Sequence, residues 1–224
     1  MKSQSQPSVQ PPRLPKHLRA DAVESLADNA EYSALLLAGC DWAAQAAAHV
    51  RCEQLQLRRA NFQRTRLPHL FMVDTRVEAS DLSGAVWEQA RLRRVAFVGC
   101  RLLGIQWLNA QLESVAFTDC NLEGAVFAAA TFKPARFEKC NLRGASFEEA
   151  ELSGVVFDQC NLANADLRGA TLRGADLRGS VINGLRAGAK ELHGAIIDPT
   201  QAIQVVSLLG VTVKEKIWIA KDAK

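Results

Sequence analysis

The chain has 224 residues, of which 48% are hydrophobic and 23% charged, so it can bury a core and is not disordered as a whole. Its net charge is +3, from 27 basic and 24 acidic residues, too balanced for composition alone to argue for nucleic acid or an anionic membrane. No run of 18 apolar residues exists, and the start, from Met1 to Arg19, is polar and Pro-rich with no apolar core segment. A soluble cytoplasmic protein is the expectation.

In chain order, residues 1–18 hold Pro7, Pro11, Pro12 and Pro15 and read as a disordered tail. Ala22, Val23, Leu26 and Ala27 recur at helical spacing, which predicts an N-terminal capping helix over 19–30. A period of five follows. Tyr32, Leu37, Trp42, Leu57, Phe62, Leu67, Met72 and Val77 carry it in a weaker form. Ala47 and Cys52 underfill their slots and Leu70 overfills one, so residues 31–79 read as irregular coils. From Ser80 every fifth residue is bulky and apolar, from Leu82 and Trp87 through to Leu177 and Ile182, with a small residue two positions before each. Neither 3.6 nor 2 divides five, so neither a long amphipathic helix nor one flat strand fits. Two inward residues in five suit one side of a square coil.

A second period has length 20. Cys100, Cys120, Cys140 and Cys160 keep it, as do Phe97, Phe117, Phe137 and Phe157, and Leu102, Leu122, Leu142 and Leu162. Four units of five make one turn of a four-sided solenoid, in which like side chains stack on like. These twelve residues are the expected structural core. The run Ala165-Asp166-Leu167-Arg168-Gly169-Ala170-Thr171-Leu172-Arg173-Gly174 resembles the pentapeptide-repeat family. That resemblance implies an all-β, right-handed quadrilateral β-helix, here over 31–197 with regular coils at 80–183, closed by short helical caps at both ends. The C-terminal cap and tail occupy 198–224: Asp198-Pro199 reads as N-cap and first helical residue, Thr200–Leu209 as a short helix, and Gly210 as its stop. Asp198, Gln201-Ala202, Leu209-Gly210 and Val213 are similar to the end of the fluoroquinolone-resistance pentapeptide proteins. There the C-terminal segment pairs two subunits, which implies a homodimer contact at Val211, Val213, Ile217, Trp218 and Ile219.

The sequence points away from an enzyme. The cysteine column would stack at about 4.8 Å with parallel Cβ vectors, too far apart for disulfides and too linear to surround a tetrahedral ion, so buried reduced thiols are expected. His17, His49, His69 and His193 have no partner at ligand spacing. No Gly-rich phosphate loop and no inserted loop after Ser80 offers a pocket, so no cofactor and no metal are expected.

What remains is surface. Residues 51–101 hold ten Arg against five acids, a net of +5, and residues 102–160 hold four basic and eight acidic residues, a net of −4. Arg91, Arg93 and Arg94 share one unit of the basic band. Outward slots on the side of Trp87, Trp107 and Phe127 hold Val86, Leu108, Val126 and Ala128, a candidate apolar patch. The first reading is a non-catalytic scaffold that presents a rigid surface to an unidentified protein partner. The family resemblance implies a second, DNA mimicry toward a type II topoisomerase, which a short acidic band on a net positive chain serves poorly. A third, nucleic-acid binding through the Arg-rich band, lacks a stacking platform if the aromatics are spent inside the coil. No membrane partner is expected.

Overall fold

The computed structural model describes residues 8–214 of the chain. Its strands are β1 (Arg19–Asp21), β2 (Glu31–Ser33), β3 (Leu35–Ala38), β4 (Arg51–Glu53), β5 (Gln56–Arg58), β6 (Phe71–Glu78), β7 (Arg91–Val98), β8 (Gln111–Thr118), β9 (Thr131–Glu138) and β10 (Val156–Asp158), followed by the helix α1 (Pro199–Leu208). All the strand pairings are parallel. From Glu31 onward each residue meets the one 20 positions later: Met72 faces Leu92, Leu92 faces Leu112, and Leu112 faces Phe132. Outside the named strands, isolated parallel bridges keep the same offset on the other two sides, as in Val86 to Gln106 and Gln106 to Val126. The result is a parallel four-sided β-solenoid.

The corners explain the period of five. Nearly every fifth residue has a positive φ. Glycine takes this conformation without a Cβ penalty, as at Gly124 (φ +66°), but among the described residues twenty non-glycine residues adopt it too, including Arg64, His69, Arg94 and Glu149. Pro134 occupies one such corner in the middle of β9 and is absent from the positive-φ set, as its ring requires.

The core is a set of stacked columns. Phe97, Phe117, Phe137 and Phe157 lie with ring centroids 5.0, 4.7 and 5.1 Å apart and planes within 6°. Leu102, Leu122, Leu142 and Leu162 are fully buried beside them. The slot of the cysteines is buried but not fully apolar: the Cys100, Cys120 and Cys140 thiols donate to the carbonyls of Val77, Phe97 and Phe117 at 3.4–3.5 Å. Ser180, in the same slot, donates to Phe157 O at 2.9 Å. A small side chain with a donor therefore suits this slot, which accounts for Cys and Ser sharing it. All six cysteines are free and buried.

Three sequence expectations are corrected. Residues 31–79 are not irregular: β2, β4 and β6 stack through Tyr32, Cys52 and Met72 in unbroken 20-residue register. The underfilled Cys52 slot is compensated by Trp42, Leu70 and Trp87, which with their neighbours leave a void of only ≈ 10 Å³. Residues 19–30 form no helix. The open edge of the first coil offers unpaired backbone groups, and β1 takes them by pairing with β3, overriding a weak helical pattern too short to stand alone. The segment after β1 still covers the coil end: Trp42 Nε1 donates to Val23 O at 2.8 Å, and Gln45 Oε1 accepts from Leu26 N at 2.8 Å. Nor are residues 8–18 detached from the solenoid. Arg13 N donates to Asp74 Oδ1 at 2.9 Å, and outward-slot Val73 is only 3% exposed.

At the other end α1 closes the last coil. Asp198 caps it in a reciprocal capping box with Gln201. Gln201 is buried and donates to the carbonyls of Leu177 and Ser180, both at 2.7 Å, so the cap also satisfies acceptors of the solenoid edge. The Asp198 carboxyl is held down to about 2, chiefly by the Thr200 hydroxyl and then by Gly179 N–H.

Candidate interaction surface

With the core closed, chemistry is confined to outward slots. Among the described residues no group of His, Cys, Asp or Glu could hold a metal ion, and no helix is long and apolar enough to cross a membrane. Burial pushes the Cys52 thiol up to about 12. Hydrogen bonding to Cys100 and Cys140, together with burial, holds Cys120 well above the ordinary thiol range.

The Arg-rich unit is divided by the fold. Arg94 turns into the corner and makes a two-pronged pair with Asp74, both bonds 2.6 Å, and Asp74 Oδ1 also accepts from Arg13 N. That guanidinium holds the Asp74 carboxyl below the usual range. Arg93 is exposed on the row beyond. Arg91 lines an open groove of ≈ 690 Å³ with His49, Arg51, His69, Phe71, Gln89, Asn109 and Gln111. The three arginines therefore do not act as one site.

Two features of this groove escaped the sequence reading. His49 and His69 do have partners, namely each other: 20 residues apart, they fill the same slot on consecutive coils, and their rings stack at 4.7 Å and 2°. Phe71 is an aromatic outside the coil, half-buried, with the Arg51 guanidinium 4.5 Å above its ring. The 20-residue offset, applied to outward as well as inward slots, would have found both. The histidine rings face each other and Arg51 covers one face of Phe71, so one face of each ring is taken within the protein.

The apolar residues do come together. Val86, Gln106 and Val126 are consecutive rungs of one outward row. Leu108 and Ala128 lie in the adjoining row, tied by Gln89 N to Leu108 O and Asn109 N to Ala128 O. All four apolar side chains are half-buried. The same rows continue to Arg66 and His69 on the N-terminal side and to Glu148 and Glu149 on the C-terminal side. One side of the solenoid thus carries a basic end, an apolar middle and an acidic end. Beyond α1, Val211 and Val213 are 53% and 56% exposed. Ile217, Trp218 and Ile219 lie outside the described residues.

These observations define a parallel β-solenoid built from five-residue units, with stacked inward columns and an uninterrupted exterior. Residues 72–145 and 110–186 match the family described as Pentapeptide repeat region, and the chain belongs to that family. No curated protein matches it significantly. Among solved structures it is similar to a trypsin-treated variant of QnrB1, a plasmid-mediated fluoroquinolone resistance protein, at 18% identity and TM-score 0.43, covering 84% of this chain and 100% of that one. It is also similar to HetL, a pentapeptide repeat protein involved in heterocyst differentiation regulation from the cyanobacterium Nostoc sp. strain PCC 7120, at 21% identity and TM-score 0.31, covering 76% and 90%. A pentapeptide repeat protein from the Arabidopsis thaliana thylakoid lumen is similar at 20% identity and TM-score 0.25, covering 59% and 85%.

Proposed function

We propose that this chain is a non-catalytic scaffold whose side over Trp87, Trp107 and Phe127 is its protein-contact surface. The observation that carries this reading is the half-buried cluster of Val86, Leu108, Val126 and Ala128 on neighbouring rungs of one side. Apolar groups gathered at the centre of a face and rimmed by charge are the usual make-up of a contact patch. The thiols are inward and the candidate basic unit is split, which leaves outward side chains as the functional material. Nucleic acid is the weaker occupant, because Arg94 is neutralised by Asp74 and the exterior rings face one another or carry Arg51. DNA mimicry fits poorly as well, since residues 51–101 carry a net charge of +5 and the acidic stretch at 102–160 only −4.

The test is a pull-down with the full chain as bait beside Leu108→Lys with Val126→Lys. Both positions are outward and leave the inward columns untouched, and an unchanged far-UV circular dichroism spectrum checks that the variant folds. Loss of the specifically retained protein in the variant supports the reading; unaltered recovery discards the surface. A gyrase supercoiling assay with and without quinolone tests the DNA-mimic alternative, for which we expect no effect.

A further inference from the structure

The side just described has an internal symmetry of chemistry. The rung of Gln106, Leu108 and Asn109 can be taken as its centre. One rung toward the N-terminus lie Val86, Glu88 and Gln89; one rung toward the C-terminus lie Val126, Ala128 and Ala129. Two rungs away, the N-terminal position holds Arg66, Pro68 and His69, and the C-terminal position holds Ser146, Glu148 and Glu149. Valine thus mirrors valine, and a cationic rung mirrors an acidic one. Arg66 has no ion-pair partner among the described residues, and neither has Glu149; both are exposed. Glu148 is shared with Arg168.

A surface of this kind is self-complementary under one operation. A two-fold axis lying across the side, perpendicular to the solenoid, reverses the order of rungs and keeps each row opposite itself. We propose that this side pairs with the same side of a second copy of the chain, antiparallel, about an axis through the rung of Leu108. Val86 then meets Val126 of the second copy, Leu108 meets its own counterpart, His69 meets Glu149, and Arg66 meets Ser146 with Glu148 in the neighbouring row within an arginine's reach. Each charged contact occurs twice. A parallel arrangement keeps each rung opposite itself and reverses the rows, which sets Arg66 against His69 and Glu148 against Glu148, cation beside cation and acid beside acid. Glu88, in the row of Leu108, faces Ala128, whose short side chain leaves room for the carboxylate's water. This proposal rests on the contact-surface reading and names its occupant. The paired length is five rungs at about 4.8 Å, roughly 20 Å between the outermost rungs. A contact this narrow belongs at the low end of interface sizes, so the dimer is a concentration-dependent and salt-sensitive equilibrium.

Leu108→Cys provides the direct test. A residue on the two-fold axis meets itself, and a disulfide needs Cβ atoms about 3.8 Å apart. All six native cysteines are buried, so they give little background. Under mild oxidation Leu108→Cys should form a covalent dimer, while Thr118→Cys, on the opposite side, should not. In sedimentation equilibrium Glu149→Arg should weaken association several-fold, and adding His69→Glu should restore it. Truncation after Val213 should leave the Leu108→Cys cross-link intact, which separates this contact from tail pairing. A chain that stays monomeric at high concentration in low salt, or Leu108→Cys that cross-links no better than Thr118→Cys, overturns the proposal. A monomeric chain that still retains a different protein, and loses it in the Leu108→Lys variant, keeps the contact surface while ending its assignment to a second copy.

Discussion

Two buried tryptophans in one column make a controlled experiment. Trp87 and Trp107 are both fully buried, one coil apart, with ring centroids 5.9 Å from each other. They differ in one hydrogen bond. Trp87 Nε1 donates to Thr65 Oγ1 at 3.1 Å, whereas Trp107 Nε1 has no partner among the described residues. The sequence explains the difference. Thr65 stands 22 residues before Trp87, and the residue 22 before Trp107 is Ala85, in the same slot but without a hydroxyl. Replacing either tryptophan by phenylalanine removes similar volume from a similar environment, so the cavity costs largely cancel. Trp87→Phe also loses a bond worth about 0.5–1.5 kcal/mol, and Thr65 keeps its bond to Phe62 O. Trp107→Phe instead removes an unpaired buried N–H, whose desolvation costs about 1–3 kcal/mol. The two variants should therefore differ by about 1.5–4.5 kcal/mol, with Trp87→Phe the less stable. Urea unfolding of both, followed by far-UV circular dichroism and compared at equal m-values, measures the difference. Equal destabilisation, or a less stable Trp107→Phe, would refute the assignment of the two indole environments.

Phe137→Ala should cost about 3–5 kcal/mol in the same assay, because it empties the middle of the stacked phenylalanine column; an effect like that of a surface substitution would mean the inward register is wrong. Cys100, Cys120, Cys140 and Cys160 should resist a thiol reagent in the native protein and react after denaturation, whereas rapid native labelling of all four would contradict their burial. Asp74→Asn should destabilise the fold by about 3 kcal/mol at pH 7, since it leaves the largely buried Arg94 without its counter-charge. The folded Asp74 carboxyl lies below its ordinary value, chiefly through the Arg94 bond, so its contribution is present above about pH 4 and is lost as the pH falls through the depressed value. Wild type and Asp74→Asn should converge in acid; a gap that persists unchanged at the lowest pH would remove the pair from the account.

Most of the fold was legible because a solenoid turns sequence period directly into position. A residue's slot follows from its number modulo 20, and Phe97, Phe117 and Phe137 announce one column without any knowledge of distant contacts. The helix α1 was legible from Asp198-Pro199 and Gly210, since capping chemistry is local. The N-terminal stretch was not. β1 exists because β3 presents an open edge, and Arg13 is held because Asp74 lies at a corner 61 residues later in the chain; neither fact is written in the segment itself. The same limit hid Phe71 and the His49–His69 stack, where the repeat was read for its inward residues and the outward slots were treated as solvated. Arg91, Arg93 and Arg94 illustrate a further loss: adjacent in sequence, they point to a groove, to solvent and to a buried carboxylate, because a corner separates them.

Hydroxyl-radical footprinting of the full chain, alone at high dilution and again in complex with the protein it retains, tests the contact surface most directly. The account predicts that Val86, Leu108 and Val126 become protected in the complex while Val98, Thr118 and Val156, outward on the opposite side, stay as reactive as before. Protection of the opposite side, with Leu108 unchanged, would contradict it.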